Sequence, residues 1–522
     1  MGDLTLSLPE PFNVATYFID RHLAHGRADA LAVLYEDNRF SYRQVAEQVN
    51  RAAQALARAG LGREDRVLLL LLDSPAFVAA FWGAIKLGAI PIPTNTLLTS
   101  DDYEFMLRDS GARGLVVQDS LVEKVAPALA RLSDLKTVWV VGAARSGYES
   151  FEAALAQSAP TAAAAPTHRD APAFWLYTSG STGRPKAAIH LHHDMVYCLE
   201  TFAKHVLQIS ARDRTFSASK LFFAYGLGNA LYFPFGVGGS TVLLAERPSA
   251  EKIFEVIRRT RPTLFFAVPT LYAAMLQIPE AETADLGSVR LAVSAGEALP
   301  APLYERFRER FGLSIIDGIG STEMLHMFIS NRPGDITSGS SGKLVPGYDA
   351  RIVDEHGNDL PAGEIGNLWI RGDSAAAGYW NRPELTRATF CGGWSVTGDK
   401  YIRDAHGVFW YCGRSDDMLK VSGLWVSPLE IETALLAHPA VVECAVVGAT
   451  SSDGLTKPKA FVVLKEAMSV SGQFDAELRE FLRSRLPAYK VPEWIVLADS
   501  LPKTATGKIQ RFKLRQQSIP PA

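Results

Sequence analysis

The stretch of the sequence that is richest in reactive groups runs from Tyr177 to Lys186. Its polar and glycine positions are, in order, Thr178, Ser179, Gly180, Ser181, Thr182, Gly183 and, after an Arg-Pro pair, Lys186. Glycines allow a ligand to approach the backbone closely, and N–H groups, hydroxyls and an ammonium group can together surround a polyphosphate. The stretch therefore indicates a loop that binds nucleotide phosphates, although a flexible surface turn would have a similar composition.

The order of these residues differs from two well-known phosphate-binding motifs. A Walker A loop ends in Gly-Lys-Ser/Thr, whereas Pro185 precedes Lys186 and Ala187 follows it. The glycine-containing run at 318–323 is not a dinucleotide fingerprint, because Glu323 stands where the third glycine would be. Kinases and other P-loop phosphotransferases are therefore disfavoured as a class.

Length and charge narrow the classes of protein that remain. The chain has 522 residues, which is more than one hydrophobic core usually supports, so at least two domains are expected. Its 53 Lys and Arg residues nearly balance 56 Asp and Glu residues, giving a net charge of −3. This balance argues against a nucleic-acid partner, since such proteins usually carry a basic excess.

The cysteines and the hydropathy of the chain indicate its compartment. Four scattered cysteines form no CxxC pair, which favours a reducing environment over a disulfide framework or a structural zinc site. No apolar run approaches the ~20 residues of a membrane-spanning helix, and the N-terminal residues lack the basic and apolar regions of a signal peptide. We therefore expect a cytoplasmic protein with no membrane partner.

Strand signals alternate with helix signals over much of the chain, which is typical of parallel α/β layers. The predicted strands of this part are Arg66–Asp73, Gly114–Gln118, Leu264–Val268, Leu291–Ser294 and Ser314–Asp317. A helix is predicted over 75–87, and Ser100 is predicted to cap the start of another. The stretch 153–172, rich in Ala, Pro and Thr, is predicted to be a loosely structured connector.

The pattern changes after residue 335. Glycines and prolines become frequent, and apolar residues alternate in runs such as 350–353 and 366–370. This alternation is typical of strands with one buried face. We therefore predict a small β-rich subdomain over about 335–413.

An acidic turn at Arg414–Asp417 precedes a return to α/β patterning. The segments predicted after this turn are helices at 428–437 and 476–485 and strands at 441–447 and 460–464. About a hundred residues is an ordinary domain size. We therefore divide the chain into a large N-terminal domain (1–413), a hinge (414–417) and a small C-terminal domain (418–522).

Several motifs occur in an order that resembles the adenylate-forming superfamily, which comprises acyl- and aryl-CoA synthetases, luciferases and the adenylation domains of peptide synthetases. The matching stretches are Tyr177–Lys186 for the phosphate loop, Ser294–Leu299 for the adenine-side loop, Gly320–Glu323 for the adenylate and magnesium, Thr397–Asp399 for the ribose, Gly413–Asp417 for the hinge and Pro502–Lys508 for the catalytic lysine. One such match is weak, but six in order are specific. Three further stretches, at 220–229, 317–326 and 416–428, most resemble benzoate- and hydroxybenzoate-CoA ligases.

The resemblance implies a fold and a reaction. The implied fold is α/β: two α/β sheet subdomains and the small β-rich subdomain form the large N-terminal domain, and a small mobile α+β domain follows. In the first half-reaction, ATP and a carboxylate give an acyl-adenylate and pyrophosphate; in the second, the thiol of coenzyme A displaces AMP. The implied cofactors are ATP, Mg²⁺ and coenzyme A, and the implied substrate is benzoate or a substituted benzoate.

The same resemblance implies roles for individual polar residues. Lys508 would lie between the substrate carboxylate and the α-phosphate, Glu323 would hold Mg²⁺, and Thr322 would bind the α-phosphate. Asp399 would accept hydrogen bonds from both ribose hydroxyls, with Arg414 beside it. Besides the phosphate loop, the remaining nucleotide contacts would come from Ala295, Gly296, Glu297, Asp317, Gly318 and Ile319.

Rotation of the C-terminal domain between the half-reactions is also implied, with Asp416 as the pivot. The face presented after rotation would bind coenzyme A through Lys420, Ser422, Gly423, Leu424 and Trp425. Two plainer interpretations stay open: Asp416 in an ordinary capped turn, and Trp425 packed on the core of the small domain.

The acyl pocket is predicted to consist of aromatic and small residues, which suit a flat benzoate ring. Its wall would be Phe223, Ala224, Tyr225 and Gly226, facing Gly318, Ile319 and His326. Phe223 stands where many family members carry a histidine, a departure shared with the aryl-CoA ligases, and Ile319 stands where many carry an aromatic residue that stacks on adenine. His326 would either reach a para-hydroxyl of the substrate or be a satisfied core histidine.

Other functions within and outside the family stay open at this point. They are an aryl-adenylating enzyme that loads a carrier protein, a ligase for another small carboxylic acid, and a nucleotide sensor, which would be expected to lack Lys508 or Glu323. Lys508 also resembles a site of reversible acetylation, so a lysine acetyltransferase and a deacetylase are expected partners. The chain is expected to be a monomer or a homodimer.

Overall fold

The architecture is that of a computed structural model, which describes most of the chain. The residues described are 6–132, 134–178, 184–279, 285–415, 417–421, 424–451, 455–465, 474–503 and 509–516, with the backbone alone at 420, 424 and 425. The predicted site residues that lie outside the described residues are Ser179, Gly180, Ser181, Thr182, Gly183, Asp416, Ser422, Gly423 and Lys508.

Strands occur throughout the described chain. In order they are β1 (Leu31–Tyr35), β2 (Asn38–Ser41), β3 (Arg66–Leu70), β4 (Ile90–Pro93), β5 (Gly114–Gln118), β6 (Thr137–Val141), β7 (Glu149–Ser150), β8 (Pro172–Thr178), β9 (Lys186–Leu191), β10 (Arg214–Ser217), β11 (Ser240–Leu243), β12 (Leu264–Ala267), β13 (Leu291–Ser294), β14 (Ile315–Gly320), β15 (Met327–Ser330), β16 (Lys343–Leu344), β17 (Asp349–Val353), β18 (Gly366–Arg371), β19 (Phe390–Cys391), β20 (Trp394–Arg403), β21 (Phe409–Arg414), β22 (Leu419–Val421), β23 (Leu424–Val426), β24 (Val441–Thr450), β25 (Thr456–Leu464) and β26 (Trp494–Leu497).

Helices alternate with these strands. In order they are α1 (Arg21–Ala24), α2 (Tyr42–Arg58), α3 (Pro75–Leu87), α4 (Ser100–Ser110), α5 (Val122–Leu129), α6 (Phe151–Ala156), α7 (Asp194–Cys198), α8 (Ala224–Leu227), α9 (Phe233–Val237), α10 (Ala250–Thr260), α11 (Pro269–Met275), α12 (Ala301–Phe311), α13 (Pro383–Thr389), α14 (Pro428–Leu436), α15 (Phe474–Arg483) and α16 (Arg511–Gln516). Within the described residues, three segments are π-helical, at Thr16–Asp20, Leu199–Lys204 and Gly228–Tyr232, and two are 3₁₀-helical, at Asp119–Leu121 and Ala488–Lys490.

Two mainly parallel sheets form the body of the N-terminal part. The larger has the strand order β16-β15-β14-β13-β12-β10-β11-β1-β2 and is parallel from β14 to β1, with antiparallel strands at both edges. The smaller has the order β4-β3-β5-β6-β7 and is parallel throughout. The predicted α/β class with two sheet subdomains is confirmed.

Alternate residues of these strands belong to different cores. In β12, Phe266 packs in the core shared by the two sheets, whereas Phe265 packs in a core on the other face of the larger sheet. In β3, Leu69 packs in the shared core and Leu68 in a core on the other face of the smaller sheet. Parallel sheets are covered on both faces, so their strands are continuous apolar runs in the sequence. Helix α3, apolar on nearly all sides, lies within the shared core.

The hairpin β8–β9 carries the predicted phosphate loop at its tip, where Thr178 pairs with Lys186. The backbone segment 376–380 runs along β9: Ala377 N–H donates to the Ile189 carbonyl (2.9 Å), and Ile189 N–H donates to the Gly378 carbonyl (3.0 Å). Backbone hydrogen bonding therefore fixes this segment, which follows β18, against the phosphate-loop hairpin.

The last two sheets lie on either side of the predicted boundary. Strands β17, β18 and β20 form an antiparallel sheet, with β19 and β21 also paired to β20, and this is the predicted β-rich subdomain. Strands β24, β25 and β26 form the C-terminal sheet, which shares a core with α14 and α15. Helix α14 also packs against β21 and α12 of the N-terminal part.

One local prediction is wrong, and another is confirmed only in part, since residues 157–171 form no helix or strand. The cap of α4 is Thr99, one residue before the predicted Ser100, because Thr99 and Asp102 form a reciprocal capping box. The predicted loose connector includes the last turn of α6, and its later residues are packed, since Ala165 N–H donates to the Lys86 carbonyl (2.8 Å) and Thr167 is buried. Low-complexity composition did not reveal these contacts with distant parts of the chain.

Among the helices that the structure describes, none combines the length and apolar composition needed to cross a bilayer.

Candidate active site

Two residues predicted to act on phosphate and metal meet at the tip of the β8–β9 hairpin. Lys186 is the first residue of β9, and Glu323 lies in the turn between β14 and β15. The Lys186 Nζ lies 3.3 Å from Glu323 Oε1, with side-chain exposures of only 17% and 19%. A cation and a carboxylate are therefore held together in a partly water-excluded place, where charge interactions are stronger than in water.

Tyr379, a residue that the sequence did not single out, completes this group. The Lys186 Nζ donates to the Tyr379 hydroxyl (2.6 Å), and that hydroxyl donates to Glu323 Oε1 (2.6 Å). The ammonium also lies 4.0 Å from the centre of the Tyr379 ring. Burial, reinforced by the Glu323 carboxylate, raises the pKa of Tyr379, so the hydroxyl keeps its proton and can donate it.

The backbone of the Thr322-Glu323 dipeptide is fixed by two further hydrogen bonds. The His190 Nε2 lies 2.8 Å from the Thr322 carbonyl, while its Nδ1 lies 2.7 Å from a carboxylate oxygen of the buried Asp194. The Ala376 N–H donates to the Glu323 carbonyl (2.8 Å). Residues 321–326 form a turn and no helix, and Ser321 accepts from the Met324 N–H (3.2 Å).

Asp399 and Arg414, the predicted ribose residues, face each other across the paired strands β20 and β21. The Arg414 Nη1 donates to Asp399 Oδ1 (3.2 Å) and to the Thr397 carbonyl (3.0 Å). Gly398, between Thr397 and Asp399 in the sequence, has φ +75°, and a Cβ at this position would lie 2.8 Å from the Arg414 guanidinium. The Thr-Gly-Asp order therefore allows the arginine to cross the backbone of β20 at the glycine and reach the carboxylate.

The predicted adenine-side residues lie at the ends of β13 and β14. Asp317 is buried in β14, and its Oδ2 accepts from the Leu299 N–H (3.3 Å), which ties β14 to the loop that contains Ala295, Gly296 and Glu297. Gly318 packs tightly, since a Cβ there would lie 2.4 Å from the Ile329 carbonyl oxygen. Burial raises the pKa of Asp317 to about 7, although the Ser294 hydroxyl and the Leu299 N–H act in the opposite direction.

This raised pKa predicts how stability depends on pH. The folded protein binds the Asp317 proton more tightly than the unfolded chain, so this residue's favourable contribution is present below about pH 4 and is lost as pH rises through about 7. In Asp317→Asn the titration is absent, and its stability relative to the parent should rise by on the order of 2 kcal/mol between pH 5 and 8. Urea unfolding at both pH values measures this difference; the control Asp354→Asn should show none, because hydrogen bonds from Asn358 lower the pKa of Asp354 and it does not titrate in this range. A pH-independent effect of Asp317→Asn would contradict the assignment.

His326 and Tyr225, two predicted pocket residues, are brought together with ring centres 5.7 Å apart. His326 is 2% exposed, and its Nε2 lies 3.1 Å from Asn229 Oδ1. Burial lowers the pKa of His326 to about 3, so the ring is neutral. Its Nδ1 has no hydrogen-bond partner within the described residues.

Aromatic residues from two π-helical segments surround this histidine. Phe202 belongs to one π-helical segment and Tyr232 to the other, and their ring centres lie 5.1 and 6.5 Å from that of His326. Gly228 makes room for the ring, since a Cβ there would lie 2.5 Å from His326 Cδ2. π-Helical turns are often found at functional sites. The result is a mostly apolar enclosure with one neutral polar edge.

The predicted pocket wall takes its shape from the chain around α8. Phe223 precedes α8, is half-buried and contacts Phe222 at 4.5 Å between ring centres; Ala224 begins the helix. Tyr225 is anchored by its hydroxyl, which donates to the Val293 carbonyl (3.1 Å). Gly226 packs against backbone, with a built Cβ only 2.1 Å from the Lys220 carbonyl oxygen, so its smallness serves close chain packing.

The profile of a protein family described as "AMP-binding enzyme" matches residues 20–380, and that of an "AMP-binding enzyme C-terminal domain" matches residues 430–508. The chain belongs to the AMP-binding enzyme family. The predicted resemblance to adenylate-forming enzymes is thereby confirmed.

Close relatives of this AMP-binding enzyme cover nearly its whole length. A benzoate–CoA ligase of Thauera aromatica is 49% identical over 512 residues, which are 98% of this chain and 97% of that protein. A 4-hydroxybenzoate–CoA/benzoate–CoA ligase of Rhodopseudomonas palustris is 44% identical over 97% of this chain and 94% of that protein. The crystal structure of the anthranilate CoA ligase AuaEII in complex with anthranoyl-AMP superimposes with a TM-score of 0.94 at 44% identity, covering 98% of both chains.

The residues around Glu323 in this AMP-binding enzyme fit a magnesium ion. Mg²⁺ usually takes one or two carboxylates, substrate phosphates and water, unlike metals held in cages of protein ligands. Glu323 supplies one such carboxylate beside the phosphate-loop hairpin. Elsewhere in the described part of the chain no cluster of three or more His, Cys, Asp or Glu side chains could hold a metal by itself.

The described backbone around the predicted coenzyme A residues is a short hairpin. Strands β22 and β23 pair antiparallel, with Lys420 opposite Trp425 and Val421 opposite Leu424. A hairpin that directly follows the predicted hinge can present both of its strands to a ligand together. Binding of coenzyme A by these residues stays a prediction.

Some residues of the site were not predicted from the sequence, and they share one property: they contact the site from distant segments of the chain. Tyr379 and His190 lie in none of the matched motifs, and Asn229 ends the stretch 220–229 without having been given a role.

Proposed function

We propose that this protein is an ATP-dependent aryl-CoA ligase, which converts benzoate or a substituted benzoate to its CoA thioester through an aryl-adenylate and releases AMP and pyrophosphate. The observation that carries the proposal is the placement of both halves of such a site on one segment. Residues 317–326 contribute the adenine-side Asp317, the carboxylate of Glu323 and the aromatic enclosure around His326. The 49% identity to a benzoate–CoA ligase over nearly the full length supports the same activity.

The first half-reaction must bring a carboxylate onto the α-phosphate of ATP, and both groups are anionic. Lys186, fixed at the start of β9, offers a cation beside the phosphate loop, and such preorganised charge lowers the cost of bringing the anions together. Glu323 would hold Mg²⁺, which supplies charge neutralisation at the phosphate oxygens when bound. Asp399, fixed by Arg414, would accept from the ribose hydroxyls and so set the distance from the nucleotide to the acyl pocket.

Lys508 and Asp416 take roles in this proposal that follow from the family resemblance. Lys508 would neutralise charge between the carboxylate and the α-phosphate, and Asp416 would be the pivot about which the C-terminal part turns between half-reactions. Support comes from the position of the boundary, since β21 ends at Arg414 and β22 begins at Leu419. Hinges of this kind absorb backbone changes at a few residues between elements.

The aryl ring would lie among Phe223, Tyr225 and His326. Apolar and aromatic surfaces contact a flat ring favourably, and a neutral histidine edge leaves room for one polar substituent. The unpartnered Nδ1 of His326 supports the interpretation in which this residue meets a ring hydroxyl over that of a satisfied core histidine.

His326→Leu should therefore change substrate preference more than overall activity. A lost hydrogen bond costs on the order of 1 kcal/mol, so kcat/KM for 4-hydroxybenzoate relative to benzoate should fall about fivefold. Steady-state kinetics with both acids measure the ratio, and benzoate turnover is the internal control for folding. An unchanged ratio would make His326 a core residue.

The proposed activity is tested by following AMP release over a panel of aromatic and aliphatic carboxylates, with and without coenzyme A. We expect AMP release to require ATP, a benzoate-type acid and coenzyme A together. Turnover confined to aliphatic acids would contradict the aryl specificity. Turnover with an acyl-carrier protein but not with coenzyme A would identify the enzyme as a carrier-loading ligase.

A further inference from the structure

Tyr379 joins the two charged groups of the phosphate site, and none of the sequence motifs gave it a role. Its hydroxyl accepts from Lys186 (2.6 Å) and donates to Glu323 (2.6 Å), while the direct distance from ammonium to carboxylate is 3.3 Å. The two hydrogen bonds, from Lys186 to Tyr379 and from Tyr379 to Glu323, run in one direction, because an ammonium only donates and a carboxylate only accepts. The hydroxyl is thus the shared partner of both charges.

The position of this hydroxyl is set by contacts on three sides. The Tyr379 N–H donates to Thr386 Oγ1 (2.9 Å), its ring packs against Phe390 at 5.5 Å between centres, and the residue is buried. Hydrogen bonds from Trp380 N–H to the Ala187 carbonyl (2.9 Å) hold the same segment to β9. The segment also reaches the Glu323 backbone through the Ala376 N–H. Tyr379 is therefore fixed relative to both of the residues that it contacts.

The segment that contains Tyr379 is also held by hydrogen bonds at a second place, Asp109. The Trp380 Nε1 donates to the Asp109 carbonyl (2.8 Å), and the Asp109 carboxylate accepts from Tyr177 (2.8 Å) and Arg382 (2.9 Å). Tyr177 directly precedes the phosphate loop. The phosphate-loop hairpin and the Tyr379 segment are therefore held as one unit, which leaves little freedom for the hydroxyl to move.

We propose that Tyr379 is a positioning residue that orients Glu323 toward Mg²⁺ and Lys186 toward the polyphosphate of ATP. The ammonium and the carboxylate already lie at ion-pair distance (3.3 Å), but each makes its hydrogen bond to the shared hydroxyl; without that hydroxyl the ammonium would turn onto Glu323 and the pair would tighten into a direct hydrogen bond. Such a pair would occupy the carboxylate oxygen and the ammonium that Mg²⁺ and phosphate require. The inference rests on the proposed function only in that ATP with Mg²⁺ is the ligand of this site.

Tyr379→Phe tests the inference, because it removes the hydroxyl and keeps the ring with its packing on Phe390. Binding is measured by calorimetry with Mg·ATP and separately with AMP, in the absence of any carboxylate or coenzyme A. We expect the affinity for Mg·ATP to fall about ten- to a hundredfold, the effect of losing a hydrogen bond to charged groups. AMP lacks the polyphosphate and should bind as tightly as to the parent protein.

The matched control is Tyr103→Phe. It also removes one hydroxyl of a buried tyrosine, which donates to the Asn95 carbonyl (3.1 Å) far along the chain from the site residues, and it should leave both affinities unchanged. Unchanged Mg·ATP affinity in Tyr379→Phe would overturn the inference. So would an equal loss for AMP and Mg·ATP, because that pattern would mark general damage to the nucleotide site.

The two proposals fail in distinguishable ways. Calorimetry uses neither an acid nor coenzyme A, so a carboxylate panel that finds no aryl substrate leaves the expected loss of Mg·ATP affinity unaffected. In kinetics, a positioning role also predicts that Tyr379→Phe raises the Mg²⁺ concentration needed for half-maximal AMP release. A change in kcat alone, with the same Mg²⁺ dependence, would contradict it.

Discussion

Lys508→Ala should lower ATP–pyrophosphate exchange with benzoate by at least about a hundred- to a thousandfold, the usual effect of removing a group that stabilises transition-state charge. Exchange reports the first half-reaction alone, in which two anions must meet. Formation of the thioester from supplied benzoyl-adenylate and coenzyme A should largely survive, because the proposed hinge takes this lysine away from the site before the second half-reaction. The contrast between the two assays is the expected result.

Lys513→Ala is the matched control for this variant. Lys513 lies in α16, five residues further along, and is exposed, so it carries the same charge without a role at the site. It should leave both half-reactions unchanged. Near-normal exchange in Lys508→Ala would show that this lysine has no role in the first half-reaction. Equal loss of both half-reactions would contradict the proposed domain rotation.

Glu323→Gln should have the second-largest effect, with adenylation slowed about a hundredfold or more. The amide keeps the size of the side chain and can still accept from Tyr379, but it loses the charge that a hard divalent cation requires. The same change leaves the partly buried Lys186 without its carboxylate partner. Pyrophosphate exchange measured over a range of Mg²⁺ concentrations should show a higher Mg²⁺ requirement as well as a lower maximum rate.

Glu305→Gln provides the comparison for the loss of one carboxylate. Glu305 is exposed on α12 and should be neutral in exchange and in Mg²⁺ dependence. Loss of a charge from a partly buried ion pair also affects stability, so the unfolding midpoint of Glu323→Gln should be measured together with its kinetics. A variant with full stability and the parent's Mg²⁺ dependence would contradict the metal assignment.

The fold could be predicted from the sequence where local pattern and burial agree. Helix α3 has the predicted bounds of 75–87, because an apolar helix between a strand and a glycine has clear signals at both ends. Strand β5 also has its predicted bounds. The wrong cap of α4 and the packed connector at 153–172 show the limit of prediction from local pattern. Such a pattern does not decide between two hydroxyl residues one position apart, and it does not show contacts with distant backbone.

The candidate site divides in the same way. The lysine of the phosphate loop could be singled out from the residues around it, and Glu323 and Asp399 from the family resemblance; the fold brings Lys186 to Glu323 and Asp399 to Arg414. Tyr379 could not be found in this way, because its importance lies in a hydroxyl placed between two charges by a segment some two hundred residues from Lys186. Such a role follows from geometry and has no local signature.

In the proposed reaction the carboxylate is activated as an aryl-adenylate, and an isotope experiment tests this step most directly. Benzoate labelled with ¹⁸O in both carboxylate oxygens is incubated with the enzyme, ATP, Mg²⁺ and coenzyme A, and the AMP and pyrophosphate are analysed by mass spectrometry. Attack of the carboxylate on the α-phosphate leaves one labelled oxygen on AMP when coenzyme A displaces it. We therefore predict one ¹⁸O atom in AMP and none in pyrophosphate; label in pyrophosphate or in inorganic phosphate, with unlabelled adenine nucleotide, would contradict the account.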